Sequence, residues 1–172
     1  MTSRGRYSRG RYKGFAGEDP GFARILLATE GRAIPDAAIA RVAELADPSG
    51  ARVFVFSIAR VHGVAFGMPN PGLMPTRQEL DEQREFIASA IKRLKRVGLP
   101  ATGHVFGTRK ATARICQEAV KHECQAIVMA ADPDRNRIVA DMLWSQEPQR
   151  VRRRATVPVF LVVEEAQPGA GR

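Results

Sequence analysis

Three carboxylates stand just after two apolar runs, and their spacing suggests metal-ion chemistry. Glu30 follows the run Ile25–Ala28, and Asp132 and Asp134 follow the run Ala126–Ala130. If both runs are parallel strands of one sheet, their carboxyl ends meet at the same edge and the three side chains converge. Carboxylate oxygens are the ligands that divalent cations prefer, so a metal-dependent nucleotide hydrolase is one hypothesis.

The competing interpretation is a solvated acidic loop. Arg32 lies two residues after Glu30, and Arg135 and Arg137 lie just after Asp134. Mixed charges of this kind are common on surfaces, where ion pairs contribute little. We therefore favour the solvated loop over a metal site, and an enzyme is the less favoured class of function.

The histidines and cysteines form no recognisable catalytic or metal-binding pattern. His62, His104 and His122 fall on a predicted loop, a strand and a helix end, without the spacing of a zinc site. Cys116 and Cys124 do not form a C-x-x-C pair, so we predict reduced thiols packed in or beside a helix. No Ser-His-Asp order or nucleophile elbow is present.

The elements that position these residues alternate between strand and helix. The predicted strands are Ile25–Ala28, Val53–Ile58, His104–Phe106, Ala126–Ala130 and Val157–Val163. The first predicted helix has Pro35 in its first turn and ends before Asp47, and the second runs from the capping box of Thr76 and Glu79 to Gly98. The third is capped by Thr108 and ends near His122, the fourth is Ile138–Trp144, and the fifth has Pro148 in its first turn and ends near Arg154. This alternation predicts an α/β fold with a five-stranded parallel sheet and helices on both faces.

The length of 172 residues predicts one domain with two tails. We assign residues 1–21 to a disordered basic tail rich in Arg, Gly and Tyr, residues 22–164 to the folded domain, and residues 165–172 to a flexible C-terminal tail. The apolar run Val157–Val163 is too short to span a bilayer, and no apolar stretch follows the basic N-terminus. We expect a cytoplasmic protein.

Five motifs, in order and spacing, resemble the universal stress protein family. They are Ile25-Leu26-Leu27-Ala28-Thr29-Glu30-Gly31, Gly50-Ala51 before the second strand, Gly107 before the third helix, Ala126-Ile127-Val128-Met129, and Val157-Pro158-Val159. The resemblance covers residues 24–164. It implies a Rossmann-like sheet in the strand order 3-2-1-4-5, with a crevice where the first and fourth strands diverge, and a role in the stress response.

The resemblance also implies the residues that would line a nucleotide site. By their position in the family pattern they are Thr29, Glu30, Ile58, Met129, Ala130 and Ser145. Glu30 stands where the family usually has Asp, and Arg32 where it usually has Ser. The longer acidic side chain requires a different geometry for any contact with adenine.

The phosphate-binding glycines of the nucleotide-binding branch of the family do not occur here. That branch follows its fourth strand with G-x-x-G, nine residues and G-[S/T], whereas this chain reads Met129-Ala130-Ala131-Asp132-Pro133 and has no glycine between Gly107 and Gly169. Only glycine lets main-chain amides approach phosphates so closely, and proline has no N–H. We predict no cofactor and weak or absent ATP binding; the alternative is ATP or AMP bound with an altered loop.

The last predicted strand is an edge strand in this order. An apolar edge invites pairing with another chain, and the family's dimers use this edge. We therefore predict a homodimer through the edge formed by Val157, Val159, Leu161 and Val163.

The net charge of +9 points to anionic partners. In the N-terminal repeat, Arg4, Arg6, Arg9 and Arg11 alternate with Gly and Tyr, a composition that suits single-stranded RNA and equally a solubilising tail. A second basic run contains Arg150, Arg152, Arg153 and Arg154, for which we prefer a solvated face at a helix C-terminus. The leading hypothesis is a homodimeric regulatory stress protein; a nucleic-acid-associated module is the alternative.

Overall fold

The computed structural model describes residues 21–60, 64–65, 68–69, 77–131 and 147–163. The larger strands are β1 (Arg24–Glu30), β2 (Arg52–Arg60), β5 (Ala101–Thr108), β6 (Ala126–Ala131) and β7 (Val159–Val163), and two-residue strands β3 (Val64–Ala65) and β4 (Met68–Pro69) pair with each other. The helices are α1 (Asp36–Leu45), α2 (Arg77–Arg96), α3 (Ala111–Lys121) and α4 (Glu147–Arg154).

The five larger strands form one parallel sheet in the order β5-β2-β1-β6-β7. Numbered among themselves, this is the predicted order 3-2-1-4-5. Ile25 lies between Val53 of β2 and Ala126 of β6, which places β1 and its neighbours in the buried centre of the sheet. The α/β class and the strand order are confirmed.

Alternate residues of each central strand pack into two separate hydrophobic cores, one on each face of the sheet, because both faces are covered by helices. Leu27, Val55 and Val128 pack with α1 and α2 on one face. Leu26, Phe56 and Met129 pack with α3 and α4 on the other. The continuous apolar runs of β1 and β6 follow directly from this double burial.

Several boundaries differ from the predicted ones; β1 and β2, for example, are longer at both ends. β5 has eight residues because its backbone pairs with β2 from Ala101 to Thr108, although half of these residues are exposed. The hydroxyl of Thr108 accepts a hydrogen bond from the amide of Lys110 at 3.0 Å, in a turn before α3 rather than as its cap. β7 begins at Val159, so Val157 precedes it. The predicted helix Ile138–Trp144 and the capping residue Thr76 lie outside the described residues.

Both cysteines are free thiols; Cys124 is buried and Cys116 is half-buried. Within the described residues, no helix has the length and apolar character to cross a membrane.

Candidate functional site

The carboxyl ends of β1, β2 and β6 bring together five of the six predicted site residues. Thr29 and Glu30 end β1, and Glu30 pairs in register with Ile58 of β2. On the other side of β1, Ala28 pairs with Met129, and Ala130 follows it. This is the switch point of the sheet, where open α/β folds bind their ligands. Ser145, the sixth residue, lies outside the described residues.

Local hydrogen bonds hold the turn after β1 in one shape. The amide of Gly31 donates to the carbonyl of Ile58 at 3.0 Å, which extends the β1–β2 pairing past Glu30. The hydroxyl of Thr29 donates to the carbonyl of Arg32 at 2.9 Å. Gly31 has φ +64°, a left-handed conformation that glycine adopts without strain. The Thr29 hydroxyl therefore has a structural partner within its own turn.

The side chains at the switch point are mostly interior. Ile58 and Met129 are fully buried, and Thr29 and Glu30 are only 4% and 7% exposed. Met129 and Ile58 pack in the core under α3 and α4. These four side chains are therefore largely shielded from solvent at the end of the central strands.

The proposed cluster of three carboxylates is only partly described. Glu30 is present and has an interaction partner, whereas Asp132 and Asp134 lie outside the described residues. Among the residues that the structure describes, no three His, Cys, Asp or Glu side chains are placed to hold a metal ion. The metal-dependent hydrolase stays an untested hypothesis.

A carboxylate that was not predicted stands at the start of α4, a helix that contacts β6. Glu147 lies in the first turn of α4 and accepts a hydrogen bond from the hydroxyl of Thr112 in the first turn of α3. Its other oxygen accepts a hydrogen bond from Arg150 at 3.1 Å. A helix N-terminus attracts anions, and here a side chain of the protein supplies the negative charge.

A second unpredicted polar pair lies beneath β2. The hydroxyl of Ser57 donates to the side-chain carbonyl oxygen of Gln83 in α2 at 2.5 Å, and both residues are buried. Ser57 is the neighbour of Thr29 in the sheet, so this bond fixes α2 against the strand beside the crevice. In the sequence this pair is indicated only by Gln83, a polar residue on the same helix face as Ile87 and Leu94.

The basic run of α4 has the position that the sequence indicated. Arg152, Arg153 and Arg154 lie in the last turn, and Pro148 and Val151 are buried and anchor the helix. Cations at a helix C-terminus interact favourably with its dipole. Arg150 faces Glu147, which gives part of the run a structural role.

The parallel sheet, with the order β5-β2-β1-β6-β7 and helices on both faces, defines a Rossmann-like α/β protein. The model of the universal stress protein family matches residues 21–163, and the chain belongs to that family. Comparison with curated proteins gives no match.

Solved structures with the same fold include several universal stress proteins. One from Burkholderia pseudomallei is 20% identical, with a TM-score of 0.58 over 81% of this chain and 95% of that one. One from Archaeoglobus fulgidus in complex with dAMP is 17% identical, with a TM-score of 0.57 over 81% and 96%. A universal stress protein in complex with cAMP is 16% identical, with a TM-score of 0.60 over 84% and 99%. At these identities the likeness establishes the fold.

Proposed function

We propose that this chain is a regulatory universal stress protein that does not bind ATP in the manner of the family's nucleotide-binding branch. The observation that carries this proposal is the sequence after β6, where Asp132 and Pro133 follow Ala131 and no glycine occurs before Gly169. A polyphosphate needs converging main-chain amides, which glycine permits and proline cannot supply.

The electrostatics near the end of β6 support the same conclusion. Glu147 places a carboxylate in the first turn of α4, which follows β6 in the chain and packs against it. Asp132 and Asp134 add negative charge to the connecting segment in sequence. Like charges repel a triphosphate, and a partly buried carboxylate is screened less by solvent than an exposed one.

If the protein binds a nucleotide, a nucleoside monophosphate is a better candidate than ATP. Two similar structures are complexes with dAMP and cAMP, which carry a single phosphate. A single phosphate makes a smaller demand on the missing glycines than a triphosphate does. Thr29 and Glu30 remain at the position that the family pattern assigns to the nucleoside.

We propose that the protein acts as a homodimer through β7. This strand ends the sheet order, so one of its edges has no neighbour among the described strands. Val159 and Leu161 are buried in the core of their own chain, so the main-chain edge of β7, with the partly buried Val157 before it and Val163 at its end, is left to pair with a second copy.

The dimer can be tested by sedimentation equilibrium of the full chain. In an antiparallel pairing of β7 with its copy about a two-fold axis, lysines at Val157 and Val163 would place like charges at the ends of the paired segments, and we expect the double variant to be monomeric at concentrations where the parent is dimeric. Val97→Lys, at an exposed position after α2, is the matched control and should leave the mass unchanged. A monomeric parent chain would refute the proposal.

The basic N-terminal segment supports a second function, the binding of single-stranded nucleic acid. The net charge of +9 and the spacing of Arg4, Arg6, Arg9 and Arg11 beside Tyr7 and Tyr12 favour it. Deletion of residues 1–21 should abolish salt-sensitive retention of RNA, whereas replacement of the arginines of α4 should not. Unchanged retention after the deletion would exclude the tail as the binding element.

The ligand of the crevice is best sought in the purified protein. Mass spectrometry of the denatured sample should detect no stoichiometric ATP or ADP. A variant in which the segment 130–133 carries glycine at positions 130 and 133 is the matched comparison, because it restores the spacing of the first two family glycines. Copurification of ATP with the unmodified chain would contradict the proposal.

A further inference from the structure

The sheet has a second edge, formed by β5, with no neighbour among the described strands on its outer side. The amide of Val53 in β2 donates to the carbonyl of Pro100 at 2.9 Å, just before β5 begins. Hydrogen-bonded residues alternate along a parallel strand, so the main-chain groups of Gly103 and Val105 point outward and those of the residues between them point to β2. β5 therefore presents an eight-residue edge with donors and acceptors at every second residue.

The surface beside β5 is basic on the face covered by α3. Arg109 and Lys110 are exposed in the turn that joins these two elements. Lys121, at the end of α3, is 60% exposed. These cations flank the strand at both of its ends, because α3 runs back along β5.

Acidic side chains on this side of the sheet are paired with cations. Glu118 of α3 is only 1% exposed, with Arg114 Nη2 2.8 Å from Oε1 and Lys121 Nζ 3.8 Å from the same oxygen. Glu123, which follows α3, pairs with Arg24 of β1 at 2.9 Å. The charge that this face of β5 offers to a partner is therefore positive.

The face of β5 covered by α2 also carries a basic side chain. Arg93 of α2 pairs with Asp36 of α1 at 2.6 Å, which directs that flank of α2 toward α1. The opposite flank of α2, with the partly buried Ile91 and the exposed Lys95, therefore lies toward β5. A strand placed beside β5 would meet a cation on this face as well.

Apolar surface is exposed along the same edge. Phe106 of β5 is 38% exposed, and Cζ of Arg114 lies 4.0 Å from the centroid of its ring. A cavity of about 110 Å³ lies between α3 and β5, lined in part by Thr102, His104 and Glu118. Successive side chains of a strand alternate between the two faces of a sheet. Every second side chain of a strand beside β5 would therefore lie on the face of Phe106 and this cavity.

We propose that the edge of β5 binds an acidic segment of a partner protein in an extended conformation, which joins the sheet as a sixth strand. Main-chain hydrogen bonds to Gly103 and Val105 supply affinity, and the basic flanks select acidic side chains. A second copy of β5 would bring the same cations together, so charge disfavours self-pairing at this edge. The proposal depends neither on a ligand in the crevice nor on pairing through β7.

Amide hydrogen exchange of the full chain, followed by NMR, tests this pairing with a synthetic peptide. The probe is an eight-residue peptide of alternating Glu and Val, as long as β5. At a free peptide concentration about ten times its dissociation constant, we expect exchange at Gly103 and Val105 to slow about tenfold, because these amides exchange only in the unbound fraction. Exchange at Thr102 and His104, whose amides point to β2, and in β7 should change by less than about twofold.

Two control peptides separate strand addition from simple attraction of charge. The Glu-Val peptide N-methylated at every amide keeps its charge but has no main-chain donors, and it should not slow exchange in β5. A peptide of alternating Lys and Val should not bind either, because the flanks repel it. Equal slowing by either control, or slowing that does not alternate along β5, would overturn the proposal. Slowing by an oligothymidylate but not by the Glu-Val peptide would assign this edge to nucleic acid and would also overturn it.

Substitution of the flanking lysines supplies a second measurement, made by fluorescence anisotropy of the labelled Glu-Val peptide. Lys95→Gln with Lys121→Gln should weaken its binding about fivefold, because each exposed charge contributes modestly. Lys92→Gln with Arg153→Gln removes the same charge from exposed positions on the outer face of α2 and on α4, and should change the affinity by less than about twofold. Equal weakening by the two double variants would show that net charge alone attracts the peptide and would contradict the proposed site.

Discussion

The hydroxyl of Thr112 donates a hydrogen bond to the carboxylate of Glu147, which ties the first turn of α3 to the first turn of α4. The two helices pack side by side on one face of the sheet. The bond therefore fixes the Glu147 carboxylate at the N-terminus of α4, the helix that comes after β6 in the chain. A side chain that is already held in this way needs no anionic ligand to neutralise the helix end.

Thr112→Val should lower the free energy of unfolding by about 1 kcal/mol, because the part-buried Glu147 loses one of its donors while Arg150 remains. Urea denaturation monitored by circular dichroism measures the change. Thr102→Val, at an exposed position of β5, is the control, with an expected effect within about 0.5 kcal/mol. Equal effects of the two substitutions would show that the bond contributes nothing specific.

The buried Ser57–Gln83 pair predicts a non-additive double-mutant cycle. Ser57→Ala leaves the carbonyl oxygen of Gln83 without its donor in the interior and should cost about 1–3 kcal/mol. In combination with Gln83→Met, which removes the buried polar group, the further cost should be much smaller. Additive effects in denaturant titrations would contradict the coupling.

The two thiols should react at very different rates. Burial raises the pKa of Cys124 to about 11, with a smaller lowering effect of Arg24 and a raising effect of Glu118. At pH 8 the thiolate fraction is then on the order of 0.1%, so the thiol is almost inert. Burial also raises the pKa of Cys116, although its side chain is only half-buried.

A chromogenic disulfide reagent applied to the folded protein at pH 8 should label Cys116 slowly and Cys124 only after unfolding. Cys116→Ser should therefore remove the labelling of the native state. Rapid reaction of the Cys116→Ser variant under native conditions would show that Cys124 is accessible.

The central strands could be predicted from the sequence because burial on both faces leaves a continuous apolar run. β1 and β6 are examples. The sequence predicts only three residues of β5, because this edge strand is partly exposed and its residues show no continuous hydrophobic run. Its Gly103 is explained by packing, since a Cβ there would lie 2.4 Å from the carbonyl oxygen of Val55.

The positions of Thr29, Glu30, Ile58 and Met129 followed from the order of the strands and the family motifs. The polar contacts of Glu118 and Glu147 did not, because they join side chains far apart in the chain. The i, i+4 spacing of Glu118 and His122 was visible in the sequence, but His104 reaches the same carboxylate from β5. Side-chain contacts between elements require the tertiary structure.

Isothermal titration of the full chain with ATP in the presence of Mg²⁺ tests the central claim most directly. Because the segment that begins with Ala131, Asp132 and Pro133 lacks the amide cradle for a polyphosphate, we predict no saturable heat at micromolar concentrations of ATP. Stoichiometric binding with a micromolar dissociation constant would contradict that prediction.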